Sequence, residues 1–214
     1  FVHHSNGALY RPNKGSNTVG ASLALLYTPY YEQTLRAEPT LRKKPFQRGL
    51  YLNFAAGLGA KTLLEDWLIT QFGTPPSHPN YRTENFHIYP AYSLQADVMW
   101  RYARRWASGL GVDAFYGTYA KRIEELDLQA HRTLRHSPFS LGLAAKHQAH
   151  YGRLALAVSF GVYLYRHMGD NAKVNETPYY ERIGVHYALP WLNNLTVGVN
   201  VKAHKTKADL TELV

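Results

Sequence analysis

The chain has 214 residues, 24 Lys+Arg against 15 Asp+Glu, and no cysteine. The length suits one domain of moderate size or one large β-barrel, and the missing cysteines exclude a disulfide scaffold, a thiol nucleophile and every Cys-ligated zinc or iron–sulfur site. The net charge of +9 points to an anionic partner: nucleic acid, phosphorylated lipid or a membrane surface.

Mean hydropathy is negative, and no run of about 18 apolar residues occurs, which excludes a transmembrane helix. A transmembrane β-barrel escapes that test, because its strands alternate and their hydropathy averages out. The chain opens on Phe1-Val2-His3 and closes on Glu212-Leu213-Val214. Both ends read like the middle of a strand, so the expectation is a fragment that lacks N-terminal strands and is incomplete at both ends. The missing signal peptide therefore carries no argument for the cytoplasm.

The dominant period along the chain is two. After an N-terminal strand around His3, a segment near 18–28 alternates. Then Leu50, Leu52, Phe54 and Leu58 oppose Tyr51, Asn53, Ala55 and Gly59. Residues 61–72 read as a short amphipathic helix in a loop. Tyr92, Leu94, Ala96, Val98 and Trp100 oppose Ser93, Gln95, Asp97, Met99 and Arg101, and 107–119 follow the same rule. The stretch 121–135 reads as a long polar loop. Phe139, Leu141 and Leu143 oppose Ser140, Gly142 and Ala144. From Arg153 to Arg166, Leu154, Leu156, Val158, Phe160, Val162 and Leu164 form one face, and Ala155, Ala157, Ser159, Gly161, Tyr163 and Tyr165 the other. Ile183, Val185 and Tyr187 oppose Arg182, Gly184 and His186. Leu195, Val197, Val199 and Val201 oppose Thr196, Gly198, Asn200 and Lys202.

These are about eight strands of roughly 10–15 residues, against about 5–6 for a soluble strand and about 9–11 for a tilted membrane-spanning one. The expectation is an all-β, antiparallel outer-membrane β-barrel, with residues 1–214 as one barrel domain. Its outer face is large and apolar and its lumen polar, narrow and Gly/Ala-rich. The alternative is a soluble lipid-carrying barrel of lipocalin type. Tight connections at 103–105, 151–152 and 190–194 alternate with long ones at 62–84, 121–135 and 168–177, the outer-membrane pattern with long loops outside. The long connection 30–46 falls on the tight side and breaks that rule. Trp100, Trp106 and Trp191 gather at the tight-turn ends as an aromatic girdle would.

Most histidines are scattered without metal-site spacing, so no metal ligand set and no cofactor is expected. Gly57-Leu58-Gly59 lies inside a strand and opens no helix, so it is not a phosphate loop. Lys and Arg are spread over loops and strand ends rather than clustered with aromatics, which argues against nucleic acid.

The N-terminus differs. In a strand, residues i and i+2 share a face, so His3 and Ser5 stand about 6–7 Å apart along the backbone, while His4 points the other way. A serine hydroxyl is a weak nucleophile that an adjacent histidine activates by taking its proton, and a third group must hold the imidazole. The turn Arg11-Pro12-Asn13-Lys14-Gly15 returns the chain antiparallel and brings Asn17 opposite the pair. On residue types alone, His-x-Ser is a weak signal and is usually a strand surface.

The run His3-His4-Ser5-Asn6-Gly7, followed by Pro12-Asn13-Lys14-Gly15-Ser16-Asn17, resembles the active-site motif of outer-membrane lipid A 3-O-deacylases, the PagL-type or acyloxyacyl hydrolase-like family, in the long form found in Bacteroidetes. Tyr180-Glu181-Arg182-Ile183-Gly184, and the stretch from Val201-Lys202-Ala203-His204 through Ala208-Asp209, are similar to the final strands of those relatives. The resemblance implies a serine-type hydrolase that removes an acyl chain from lipid A in the outer leaflet of a Gram-negative outer membrane. Ser5 would be the nucleophile, His3 the general base, and Asn13 with the Gly7 amide the oxyanion contacts. It implies lipid A, or lipopolysaccharide, and outer-membrane lipids as partners, with loop cations meeting the lipid A phosphates. The family carries a glutamate where this chain has Asn17. Asparagine can orient an imidazole but cannot stabilise the imidazolium by charge; another acid such as Glu84 is a candidate for that task. The departure keeps open a non-catalytic barrel, a pore or a component of an envelope protein complex.

Overall fold

The computed structural model describes residues 2–3, 17–18, 21–27, 46–61, 63–79, 81, 87–170, 177–192, 195–205 and 207–214. Strands β1 (Val2–His3) and β2 (Asn17–Thr18) form a two-stranded antiparallel pair. The main sheet contains β3 (Ala21–Tyr27), β4 (Gly49–Lys61), β5 (Tyr89–Arg101), β6 (Trp106–Gly117), β7 (His136–Tyr151), β8 (Leu154–Met168), β9 (Tyr179–Ala188), β10 (Leu195–His204) and β11 (Lys207–Leu213). Neighbours from β4 to β11 pair in sequence, all antiparallel, and β11 returns to β4. The result is a closed barrel of 8 strand positions.

The eighth position is filled by two pieces of chain. β11 pairs with β10 and, through Glu212–Gly59 and Leu213–Leu58, with β4. β3 runs in the same direction and pairs with β4 from Ala21–Leu58 to Tyr27–Leu52, and with β10 through Leu195–Leu25 and Thr196–Ala24. β11 thus closes the half nearer the long loops and β3 the half nearer the short turns, the two meeting at Leu58.

The alternation read from the sequence sets the two faces. On β6, Asp113 is fully buried while its neighbour Val112 is 42% exposed. Leu50, Leu94, Leu110, Leu143, Leu156, Val158, Phe160, Ile183 and Val185 are likewise exposed. Large apolar side chains outside and ionised ones inside is the reverse of a lipid-carrying soluble barrel, and it identifies the outer surface as lipid-facing. Among the described residues no helix is long and apolar enough to cross a membrane; the crossing elements are strands of 10 to 16 residues from β4 to β10. Exposed Trp100, Trp106, Tyr151 and Trp191 mark the short-turn rim. Toward the other end, Tyr92, Tyr116 and Phe139 form an aromatic row across three strands, with ring centroids 6.3 and 5.0 Å apart.

The β7–β8 turn carries Gly152 at φ +61, the left-handed backbone that a two-residue hairpin loop needs. Lumen glycines have a different reason. A Cβ at Gly161 would lie 2.1 Å from the ring of Tyr180, and one at Gly111 would lie 1.9 Å from the Asp97 carboxylate. The small residues of the inner face leave room for large polar side chains of neighbouring strands.

Two details differ from the sequence reading. Residues 121–135 are not all loop: α2 spans Ala120–Gln129. It follows the short helix α1 (Leu64–Leu68), which runs into a π-turn at Ile69–Gly73 in the expected loop segment. Second, Tyr165 points outward, 45% exposed, although period two assigned it to the lumen. The β7–β8 register shifts between Leu141 and Gly142, so Leu141 faces Tyr165 and Gly142 faces Tyr163. Leu164 is the unpaired residue of a bulge, and a bulge inverts the alternation beyond it.

Leu156→Arg, on the lipid face near mid-strand, is expected to cost about 2–4 kcal/mol of unfolding free energy in bilayers. Ala157→Ser, one residue away on the lumen side, is expected to cost far less. Denaturant titration of both variants in vesicles checks this, and equal costs would contradict the assignment of faces.

Candidate functional site

The sequence-derived site residues fall at the N-terminus. β1 and β2 pair so that His3 lies opposite Asn17 and Val2 opposite Thr18, and directly opposed residues of an antiparallel pair share a face of the ladder. β2 comes within 8 Å, Cα to Cα, of β4 and β11. Ser5, Gly7 and Asn13 lie outside the described residues, as does Glu84.

The barrel interior is a polar lattice that the sequence reading did not resolve into partners. Lys146 on β7 places its Nζ 2.6 Å from Asp97 on β5, 2.7 Å from Asp113 on β6 and 2.9 Å from the Gln95 carbonyl oxygen. Arg182 on β9 bridges Asp113 and Glu212, both at 3.3 Å. Tyr180 donates its hydroxyl to Asp113 at 2.7 Å, Asn53 donates to Asp97 at 2.6 Å, and Ser93 donates to Glu212. The Tyr180–Asp113, Arg182–Asp113, Lys146–Asp97 and Ser93–Glu212 links join strands that are not neighbours, whereas Asn53–Asp97 and Lys146–Asp113 join adjacent ones, and the space left among them is a cavity of about 30 Å³, enough for about one water. The arrangement neutralises charge and ties opposite walls together. It fills the passage that a pore would need; the described serine–imidazole contact, Ser108 Oγ 2.8 Å from His147 Nδ1, lies between the neighbouring strands β6 and β7.

The long-loop end is closed by an apolar plug. Leu63, Ala91, Tyr119, Ala120, Ile123, Met168 and Leu210 form one buried cluster. α2 is anchored on both sides. Arg122 donates to Asp66 of α1 at 2.8 Å, a bond that raises the guanidinium further above its ordinary value. Asp127 accepts from His136 at 2.8 Å and from the Asp170 backbone N–H at 3.0 Å. Gly169, at φ +59, passes so close that a Cβ there would lie 2.2 Å from both Asp127 and His136. Asp127 therefore ties α2 to β7 through His136 and to the β8–β9 connection through the Asp170 N–H.

Beneath the plug lies a second charged group. Asp209 meets Lys61 at 2.5 Å and Lys202 at 2.7 Å, with His204 at 3.6 Å. Tyr163 links into it, its hydroxyl 2.9 Å from His204 and 3.2 Å from Lys202. Arg166 stacks 4.6 Å above the Tyr163 ring. Sequence reading missed these residues because they come from β4, β8, β10 and β11. Alternation puts each in the lumen, but only strand register brings them together. Among the described residues, no group of three or more His, Asp and Glu is placed to hold a metal ion.

Comparison with known families matches residues 50–214 to a family model described as acyloxyacyl hydrolase, C-terminal domain. The matched segment runs from β4 to β11, and the β1–β2 pair precedes it. No curated protein and no solved structure matches the chain.

Removing one charge from the lattice leaves its partners uncompensated in a dry interior. Lys146→Met is expected to destabilise the barrel by about 3–5 kcal/mol, read as an unfolding midpoint in detergent. Planar-bilayer recordings of the wild-type chain are expected to show no steady single-channel conductance; open-channel steps would contradict the sealed lumen.

Proposed function

We propose that this chain, which belongs to the acyloxyacyl hydrolase C-terminal-domain family, is a lipid A deacylase of the outer membrane. Family membership carries the reading: it supports ester hydrolysis on lipid A in general, and the lipid-facing barrel supports a substrate met in the plane of the membrane. The finer assignment is ours. Residues 1–214 act as one barrel domain, and the His3–Ser5 strand with its returning strand at Asn17 forms the reaction centre.

In this mechanism Ser5 Oγ attacks the ester carbonyl carbon while His3 takes its proton. The carbonyl oxygen becomes an oxyanion, held by the Asn13 side-chain amide and the Gly7 N–H. His3 then gives the proton to the departing sugar alkoxide, and the C–O ester bond breaks to leave an acyl-serine. Water, deprotonated by His3, attacks that carbonyl and releases the fatty acid, and the proton returns to Ser5. Asn17 orients the imidazole. The backbone register that sets His3 opposite Asn17 supports this last role. The chemistry needs no metal or cofactor, and loop cations would meet the lipid A phosphates.

A second reading is a non-catalytic envelope barrel. It is favoured by Asn17 standing where the family has glutamate, and by the family match beginning at residue 50, beyond the hairpin.

Mass spectrometry of lipid A incubated with the full chain decides between the two. The deacylase reading expects loss of one acyl chain with wild type and none with Ser5→Ala, while Ser5→Ala stays folded and heat-modifiable on gels. His3→Ala is expected to match that loss, and the double variant to be little worse than either single one. His4→Ala should keep substantial activity. Asn17→Ala should slow release and Asn17→Glu should keep or raise it. Release that is absent with wild type, or undiminished in Ser5→Ala, leaves the non-catalytic barrel.

A further inference from the structure

At the short-turn end of the lumen stands a cation that no carboxylate balances. Arg101, the last residue of β5, faces inward and is 6% exposed. Its Nη2 donates to the Arg104 carbonyl at 2.5 Å, while its Nε is buried without a hydrogen-bond partner. Among the described residues no carboxylate is ion-paired with it. Asp97, four residues along the same face, is held by Lys146 and Asn53. Arg101 differs in this from Lys61, Lys146, Arg182 and Lys202, each of which meets a carboxylate in the lumen.

A second unmet group stands beside the first. His150, near the end of β7, is 8% exposed, and its Nε2 is also buried without a partner. The His150 backbone N–H donates to the Arg105 carbonyl at 2.7 Å, the carbonyl next to the one that holds Arg101. The two residues are thus tied to consecutive peptide units of the β5–β6 turn, and the Arg101 charge acts on the His150 ring. Room is left there as well. Gly49 pairs with Arg101 across β4 and β5, and a Cβ at Gly49 would meet nothing within 4 Å. Ala107, paired with Arg101 on the other side, and Ala155, paired with His150, are small too.

A buried charge left unpaired is costly, and a buried donor without an acceptor adds to the cost. We propose that Arg101 and His150 together bind a compact monovalent anion of the halide kind, taken up from the compartment that the short turns face. The groups present set the valence. Arg101 supplies one positive charge and its Nε–H, and the His150 tautomer with its proton on Nε2 supplies a neutral N–H. One monoanion balances that set, whereas a dianion such as phosphate would leave net negative charge inside the wall. The ion completes at the short-turn end the charge pairing that Asp113 provides at mid-barrel, and it depends on neither the hairpin nor hydrolysis.

The test reads the thermal unfolding midpoint of the full chain in a zwitterionic detergent. Chloride is exchanged for gluconate at constant ionic strength, so that screening is unchanged. An ion bound to the folded state alone raises the midpoint with its concentration. The expected result is a saturable rise with chloride and a matching rise with bromide. In crystals grown with bromide, the anomalous signal is expected between Arg101 Nε and His150 Nε2. His150→Phe should raise the chloride concentration of half-effect about ten-fold, and Gly49→Leu, which fills the room beside Arg101, should do the same. Arg101→Met should remove the response; if that variant does not fold, the other two and the bromide position decide. Arg153→Ala, exposed at the same rim, should keep the response. Equal midpoints in chloride and gluconate overturn the proposal, as does an unchanged chloride response in either His150→Phe or Gly49→Leu. Bromide on exposed arginines but not between Arg101 and His150 shows an adventitious ion only and overturns it too.

Discussion

Asp113 is the point on which the barrel is strung. It is fully buried, faces the lumen from β6, and accepts from Lys146, Arg182 and Tyr180 at once. Those partners lie on β7 and β9, and through Arg182 the chain of contacts reaches Glu212 on β11. A buried carboxylate without such partners would carry a desolvation cost of several kcal/mol, so the wall strands are held at one register by the need to keep it compensated. The inner-face glycines follow from the same requirement. Tyr180 reaches Asp113 only because Gly142 and Gly161 leave its ring room. A small residue on one strand and a large polar one on another are thus two halves of a single packing decision.

This lattice shapes what the protein can do. With the lumen bridged, the surfaces left for a partner are the outside of the wall and the rim, where lipid is met. The exposed aromatic rows lie there. The plug built on α2 adds a lid of apolar side chains over the inner cations, which keeps Asp209 and its lysines dry and their field strong.

Most of the barrel was legible from alternation, because a wall between lipid and a polar lumen imposes period two on every strand. The short turns were legible from Gly152 and from the Arg104-Arg105 step, and the α1 segment from its amphipathic run. What escaped shares one cause. α2 is short, and its buried face of Ala120, Ile123 and Asp127 includes a carboxylate whose partner, His136, is on another element. Tyr165 was misassigned because the β7–β8 register shifts between Leu141 and Gly142 and leaves Leu164 unpaired, which strand periodicity does not reveal. Lys61, Lys202, Asp209 and His204 were visible only as separate lumen residues. In each case the deciding contact is non-local, and a face can be read from a period while a partner requires a register. The candidate reaction centre was the opposite case. Its residues are proposed from a local motif of seventeen positions, and of them His3 and Asn17 are among the described residues, opposed across β1 and β2.

The eighth position, shared by β3 and β11, has a consequence for how the molecule forms. The two pieces meet at Leu58, though they come from opposite ends of the sequence. The wall from β4 to β10 can be laid down hairpin by hairpin, each step a short-range event. The last seam requires segments more than 180 residues apart to arrive together, and contacts of such separation are slow to form. β11 pairs with β10 as a local hairpin, so until the seam closes it is β11 and the facing edge of the β3–β4 side that expose backbone groups, which in hydrocarbon find no water to bond. Closure is therefore a kinetic bottleneck, and an assembling chain would dwell longest as an open, curved sheet that needs its edges shielded.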